Sequence, residues 1–477
     1  MPNDYPDGAL ESGPEPSPTV LLNDLEAAGV AFGVSPAIRA AHGRDWWPLS
    51  IPEVAVGHVP HWPGVVVFPS STGEVSQVLL IAAKHATSVT AQGGRSGVLG
   101  GAVASDGAIA LDLTGLNRII ELDEISGTVS VEAGVFGPKL EGYVNERGWT
   151  VGHFPQSFNL ATVGGWLACR GAGQYSNRYG KIEDIVRGLT VVLANGDVIE
   201  LGDHGPRQAV GPDLLQLFIG SEGTLGVITR ATLVLHRVAP FTKKATFGFA
   251  TFDEGLGACR RILQRDARPA VLRLYDDTES LRVFGEALNV LVVLDEGDQA
   301  LVEATMGIVE HECHAATSLP EGLVDTWLEH RNDVSALAPL WEHGVVVDTI
   351  EVAGTWATLT TLRNRVSEAL RALEPTLVVS VHQSHAYLDG ACLYFSFAGR
   401  PDVDATAYYR LAWDVATRAA LSSGATLSHH HGVGHNRARF VKEALGSAYP
   451  LLSSLKDLLD PSNIMNPGVL GIGGDPW

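Results

Sequence analysis

GHFPQSFNLATVGGW, Gly152 to Trp166, heads a glycine-rich stretch, residues 152–180, with weak apolar periodicity. In a compact domain such a long unpatterned segment is usually a ligand-binding loop. Two more glycine-rich runs flank it. AQGGRSGVLG, Ala91 to Gly100, follows a short strand at Ser88–Ala91, and GSEGTLGVIT, Gly220 to Thr229, enters a β-branched run ending at Leu235. Glycine permits positive φ and lets backbone N–H groups approach a phosphate closely, with Arg95 adding a local charge. The first run is not the Gly-x-Gly-x-x-Gly of nicotinamide-binding folds, and no helix opens on it.

Outward from these runs the pattern is regular. Val65–Phe68 reads as a buried strand. Ser71 and Glu74 read as a capping box before a helix that carries Val75, Val78, Leu79, Ala82 and Ala83 on one face. A strand is expected over Ala108–Leu113, with hairpins turning at Ser126-Gly127 and Asn195-Gly196. Pro138 opens a helix that stops before Gly148. Past Pro240, strands near Phe247, Val271, Val292, Val346 and Val379 alternate with helices near Arg261, Val302 and Leu362, which predicts an α+β unit on an antiparallel sheet. After Phe397 the chain turns helical, interrupted by SHHHGVG at Ser428–Gly434. No internal repeat is visible. The boundaries read as a disordered lead over 1–20, a loop-bearing domain over 21–240, an α+β unit over 241–427, and a C-terminal segment over 428–477 that closes on the first domain.

The 477 residues hold 33 Lys and Arg against 54 Asp and Glu, a net charge of -21 that repels phosphate backbones and excludes nucleic acid as a partner. Cys169, Cys259, Cys313 and Cys392 are widely spaced. That spacing, with no Cys-x-x-Cys pair, argues against a disulfide framework or a thiolate zinc motif and fits a reducing, cytoplasmic compartment. The first residues, MPNDYPDGALESGPEPSP, lack the basic and apolar regions of a secretory signal, and no run is apolar enough to span a bilayer.

Together the three glycine-rich runs resemble the FAD-binding domain of the vanillyl-alcohol-oxidase superfamily (PCMH-type), over about residues 55–240. The resemblance implies a cofactor pyrophosphate on the first loop, at Thr90, Ala91, Gln92, Gly93, Gly94, Arg95 and Ser96. It implies the isoalloxazine against Gln156, Ser157, Phe158, Asn159, Leu160, Ala161, Thr162, Cys169, Arg170, Gly171 and Ala172. The adenosine end falls near Glu222, Gly223, Thr224, Leu225, Gly226, Val227 and Ile228. Members that attach flavin covalently use a histidine in the first loop. GGRSGVLGG has none, so the FAD is expected to be non-covalent.

A closer resemblance, from about Val54 to Pro467, rests on the same runs together with RLYD at Arg273, DGACLYF at Asp389–Phe395 and LSHHHGVG at Leu427–Gly434. These look like alkylglycerone-phosphate synthase, also called alkyldihydroxyacetonephosphate synthase. The resemblance implies an α+β fold, with a two-subdomain FAD-binding domain, a ferredoxin-like cap and a returning C-terminal helical segment. It also implies exchange of an acyl for an alkyl group without net redox. A lipid-like substrate, peripheral membrane contact and a homodimer accompany that expectation. An FAD-linked oxidoreductase of an alcohol or 2-hydroxy acid is the alternative, and a flavin-holding protein without turnover a third reading.

Tyr394 lies in an alternating strand, opposite to Leu393 and Phe395. A tyrosine near cations becomes a base once its pKa falls; otherwise it is a core tyrosine with a bonded hydroxyl. His429, His430 and His431 bring three titratable rings together. By resemblance, Tyr394 abstracts the proton and the histidines assist; Arg273, Arg331, His382 and His385 are expected to face the substrate. For Arg273 a snorkelling strand arginine is the plainer alternative. Metal-using dehydrogenases of the superfamily carry Glu where His430 falls and His where Tyr394 falls, so no metal is expected. The synthases place an arginine on the substrate phosphate, where this chain has Leu337 or Ala338. His382 replaces another arginine, and His435 a lysine. An altered substrate is therefore expected, its anion carried by Arg273 or Arg331.

Overall fold

The computed structural model describes residues 13–55, 57–202, 205–333, 337–402 and 404–474. Its first sheet has the order β1-β2-β4-β3, from β1 (Ala31–Gly33), β2 (Val65–Phe68), β3 (Val89–Gln92) and β4 (Ile109–Asp112). Both β2 and β3 run parallel to β4, whose four residues are all buried. Helix Thr72–Lys84 crosses between β2 and β3 and packs Val75, Val78, Leu79 and Ala82 inward, as its periodicity requires. Ser71 Oγ accepts from Glu74 N at 3.2 Å, but the Glu74 carboxylate turns to Ser70 N, so the capping box closes one residue early.

The second sheet is antiparallel, with the order β5-β6-β10-β8-β9. Its strands are β5 (Ile119–Asp123), β6 (Thr128–Glu132), β8 (Val186–Val192), β9 (Val198–Gly202) and β10 (Val227–Val234), while β7 (Trp149–Thr150) pairs with β11 (His236–Arg237). Gly127 and Gly196 turn its hairpins at φ 64° and 82°, values that disfavour a side chain.

The third sheet has seven strands in the order β15-β12-β14-β13-β17-β18-β16. They are β12 (Phe241–Phe249), β13 (Val271–Tyr275), β14 (Asn289–Gly297), β15 (Thr317–Leu319), β16 (Val346–Thr355), β17 (Thr376–Ala386) and β18 (Gly390–Gly399). Apart from the short helix Asp277–Phe284, the first half runs β12, helix Phe252–Gln264, β13, β14, helix Gln299–Glu312, β15, a ferredoxin-like βαββαβ unit. The second half, β16, helix Leu359–Arg371, β17, β18 and helix Ala405–Ser422, repeats that order without the last strand. The halves join where Leu274 and Tyr275 pair with Gln383 and His382. This topological repeat has no counterpart in residue identity. Leu256, Ile262, Val302, Met306, Leu362 and Val366 bury one face of the sheet, with Leu393, Phe395 and Phe397 of β18 turned to the same core.

Part of the expected disordered lead is built into the fold. Ser17 N donates to Gly64 O at 2.9 Å, Arg39 Nη1 donates to Pro14 O at 2.8 Å, and a helix starts at Thr19. Those bonds order residues 13–20, while 1–12 lie outside the described residues. At the other end Val89 N donates to Ile464 O at 2.7 Å and Asn466 N to Val89 O at 2.9 Å, which lays the C-terminal segment alongside β3. No helix among the described residues is long and apolar enough to cross a membrane.

Candidate active site

The three glycine-rich runs converge. A Cβ on Gly93 would strike Thr162 Oγ1, and one on Gly94 would strike Leu160 O, so glycine is what lets the first and second loops touch. Each run also holds a non-glycine residue in the left-handed region, Arg95 at φ 51°, Arg170 at φ 56° and Glu222 at φ 49°, a strain that concentrates at ligand clamps. Gln92 Nε2 donates to His42 O and Ala102 O at 2.8 Å each and fixes the first loop. Arg95 lies 3.4 Å from Asp112. Thr162 caps helix Val163–Ala168. Asn466 gathers the C-terminal segment to two of the runs: its Nδ2 donates to Glu222 O at 2.8 Å and Gly101 O at 3.0 Å, and its Oδ1 accepts from Thr90 at 3.1 Å. Gln92 Oε1, both ring nitrogens of His153 and the Trp166 indole nitrogen are buried around these loops without a partner among the described residues. Native interiors rarely leave so many polar atoms unpaired in one place, and a polar cofactor fits them.

The cap sheet supplies the other wall. Tyr394 stacks on His382 with ring centroids 4.7 Å apart and on His430 at 6.1 Å, and meets His431 edge-on at 5.5 Å. His385 packs 4.8 Å from His429 and 4.9 Å from His430. The expected lowering of the Tyr394 pKa does not occur. Burial pushes its hydroxyl up, and the nearby charges of Glu351 and Asp348 are negative. Burial pushes His429 down to about 4 and lowers His385, His430 and His431 as well, so these rings are neutral at neutral pH.

Two carboxylates hold the triplet loop: buried Glu351, which sequence reading passed over, and half-buried Glu222, which it assigned to the adenosine end of the cofactor. Glu351 Oε1 accepts from Ser428 Oγ at 2.8 Å and from the backbone amides of His429, His430 and His431 at 3.2, 3.0 and 2.7 Å, while Oε2 pairs with Arg437. Burial would raise the Glu351 carboxyl, but the Arg437 guanidinium beside it holds it well below the ordinary carboxylate range. Glu222 accepts from Val433 N at 2.6 Å and Gly434 N at 2.8 Å, tying the same loop to the third glycine-rich run. Glu351 stands in an ordinary apolar-rich strand and nothing in the sequence marks it; the glutamate of GSEGTLG was legible, its partner loop was not.

The arginines differ in availability. Arg273 does not snorkel. It is buried, and its donors go to Tyr275 Oη at 3.0 Å, Ser384 O at 3.4 Å and His382 Nε2 at 2.8 Å. His382 Nδ1 in turn sits 3.2 Å from Glu279. Arg331 is walled by the rings of Tyr175, Phe154 and Trp327 at 5.1, 5.7 and 5.7 Å, and one bond to Gln174 Oε1 at 3.1 Å is its only side-chain hydrogen bond among the described residues. Leu337 and Ala338 open helix Leu337–Glu342, but their side chains lie outside the described residues. His435 is buried, and burial holds its pKa at about 3, so it supplies no cation in place of a lysine.

Residues 63–202 match the model of the FAD binding domain, and residues 239–470 that of the C-terminal domain of FAD linked oxidases. The uncharacterized FAD-linked oxidoreductase YgcU of Escherichia coli (strain K12) is 32% identical, the match covering 86% of this chain and 89% of that one. Alkyldihydroxyacetonephosphate synthase of Dictyostelium discoideum is 29% identical over 87% of this chain and 74% of that one. A solved structure of an alkyldihydroxyacetonephosphate synthase superposes with a TM-score of 0.80 at 26% identity, covering 96% of this chain and 87% of that one. p-Cresol methylhydroxylase with substrate bound shares the fold, with a TM-score of 0.73 at 17% identity, covering 96% and 98%.

Proposed function

This chain belongs to the FAD-linked oxidoreductases of the vanillyl-alcohol-oxidase type and is an FAD-dependent flavoenzyme; we propose that it exchanges an acyl for an alkyl group on a small anionic substrate without net redox. The observation that carries the reading is the packing of Tyr394 of β18 among His382 of β17 and His430 and His431, the last two on a loop that Glu222 ties to the flavin-binding runs. Its likeness to the alkyldihydroxyacetonephosphate synthases supports the exchange. Bound FAD would supply the nucleophilic nitrogen for it.

The chain's own residues do the rest. The backbone of Gly93–Ser96 would hold the pyrophosphate, residues 156–162 and 169–172 the ring system, and Glu222–Ile228 the adenosine end, all without a covalent bond. Arg331 binds the substrate anion, since Arg273 is occupied in orienting His382. His431 takes the carbon-bound proton, with the Glu351 carboxylate 3.8 Å behind its Nδ1 to stabilise the imidazolium. The Tyr394 hydroxyl, kept protonated by burial, orients the reacting oxygen.

The name of YgcU favours a second reading, oxidation of an alcohol or 2-hydroxy acid, in which His431 takes the hydroxyl proton. Anaerobic mixing with candidate substrates separates the two. Exchange returns the flavin to its starting absorbance once acyl donor and alcohol are consumed, and bleaching that persists anaerobically in step with substrate consumption overturns it in favour of oxidation. Either way Tyr394→Phe should lower turnover on the order of a hundredfold while the chain stays yellow. Arg331→Ala should weaken substrate binding roughly ten- to a hundredfold, the value of a charged hydrogen bond. Acid precipitation should release the flavin.

A further inference from the structure

We propose that His385, Cys392, His429 and His430 form a closed binding site for zinc or a similarly thiophilic divalent ion. One ligand atom from each lies within 4.8 Å of all the others. His385 and Cys392 face each other as a register pair of β17 and β18, and the two histidines descend from the loop that Glu351 clamps.

The hydrogen bonds around the cluster prepare it for a cation. His385 is 3% exposed, and its Nε2 is buried without a hydrogen-bond partner among the described residues, while its Nδ1 lies 2.9 Å from Ser384 Oγ. His429 Nε2 lies 2.6 Å from Tyr387 Oη. Outer partners of this kind fix the tautomer of a ligating histidine and aim its other nitrogen at the metal. In His429 that other nitrogen, Nδ1, faces His430 Nδ1 at 2.9 Å. Two imidazole lone pairs so close must share either a proton or a cation. Tetrahedral zinc has nitrogen–nitrogen edges of about 3.3 Å, so these rings would part slightly while the wider separations close by roughly 1 Å, within reach of side-chain rotation.

The donor set names the ion. It has three imidazoles, one thiol and no carboxylate, since Glu351 is committed to Arg437 and the loop amides. Calcium, magnesium and manganese want oxygen, whereas imidazole with thiolate suits zinc. On binding, the Cys392 thiol gives its proton to solvent. Four protein ligands leave no open position, so the ion pins the triplet loop to the β17–β18 hairpin rather than activating water. Tyr394 and His431 stay outside the ligand set.

The test uses the full FAD-loaded chain, dialysed against zinc and then against zinc-free buffer, with elemental analysis and zinc-edge X-ray absorption. The expected result is a single retained zinc per chain, with sulfur at about 2.3 Å and nitrogen at about 2.0 Å. Cys392→Ser, its fold checked by flavin content, should lose the sulfur shell and bind zinc at least roughly a hundredfold more weakly. Zinc that dialyses away from the unaltered chain, or a shell without sulfur, overturns the proposal. Neither readout needs turnover, so failure here leaves the exchange chemistry standing, and failure of that chemistry leaves this site standing.

Discussion

His153 shows what a single residue contributes. It is fully buried, packs edge-on to Trp166 at 4.8 Å, and burial pushes its pKa down to about 3. The folded chain therefore keeps this ring neutral well below the ordinary histidine range. The unfolded chain takes up its proton as pH falls through about 6.5, so the stability is fully present above that pH and drains away towards about pH 3. Between about pH 7 and pH 5 the loss attributable to this ring is about 2 kcal/mol, at about 1.36 kcal/mol per pH unit below 6.5. Urea midpoints of His153→Asn and the unaltered chain, compared at both pH values, should show the variant losing about that much less; equal losses would mean the ring is solvated. At this scale the sequence is informative for glycines and silent on their neighbours. Gly93 and Gly94 announce a close backbone approach, but nothing marks Arg95, Arg170 or Glu222 as left-handed. Cys392 was legible as a cysteine without a Cys-x-x-Cys partner; only pairing of β17 with β18 brings it to His385.

At the scale of elements, the triplet loop is decided by what lies beneath it. Three consecutive backbone amides turned towards one oxygen form a concave anion site, and Glu351 fills it from β16. Glu351→Gln keeps the amide acceptor but leaves the buried Arg437 guanidinium without its counter-charge. Breaking a buried pair from one side costs about 3–5 kcal/mol, so chemical denaturation should register a loss of that order. Unchanged stability would show that Arg437 finds another anion. Hairpins and helices with strong local signals, such as Thr72–Lys84 and the turn at Gly196, stand where their patterns place them. The loop's carboxylate floor escaped because it depends on register between strands far apart in sequence.

For the molecule as a whole, the C-terminal segment is the closing piece of the cofactor fold. Asn466 joins Thr90, Gly101 and Glu222, and Lys456 Nζ, buried, bonds Thr224 O at 3.0 Å and the Asp460 carboxylate at 2.5 Å. A chain ended after Asp460 should purify colourless or with little flavin, judged by the flavin-to-protein absorbance ratio, and full occupancy would show that the loops hold FAD without it. The two-sheet flavin fold was legible because its glycine runs are local. The doubled plan of the cap was not, since the halves share topology rather than residues. That doubling bears on how the enzyme changes its ligand. Each half closes its own hydrogen-bond ladder, and only two register pairs stitch β13 to β17. His382 stands on that narrow join and Arg273 beside it, so substitutions there can retune what the pocket accepts while both halves keep their architecture.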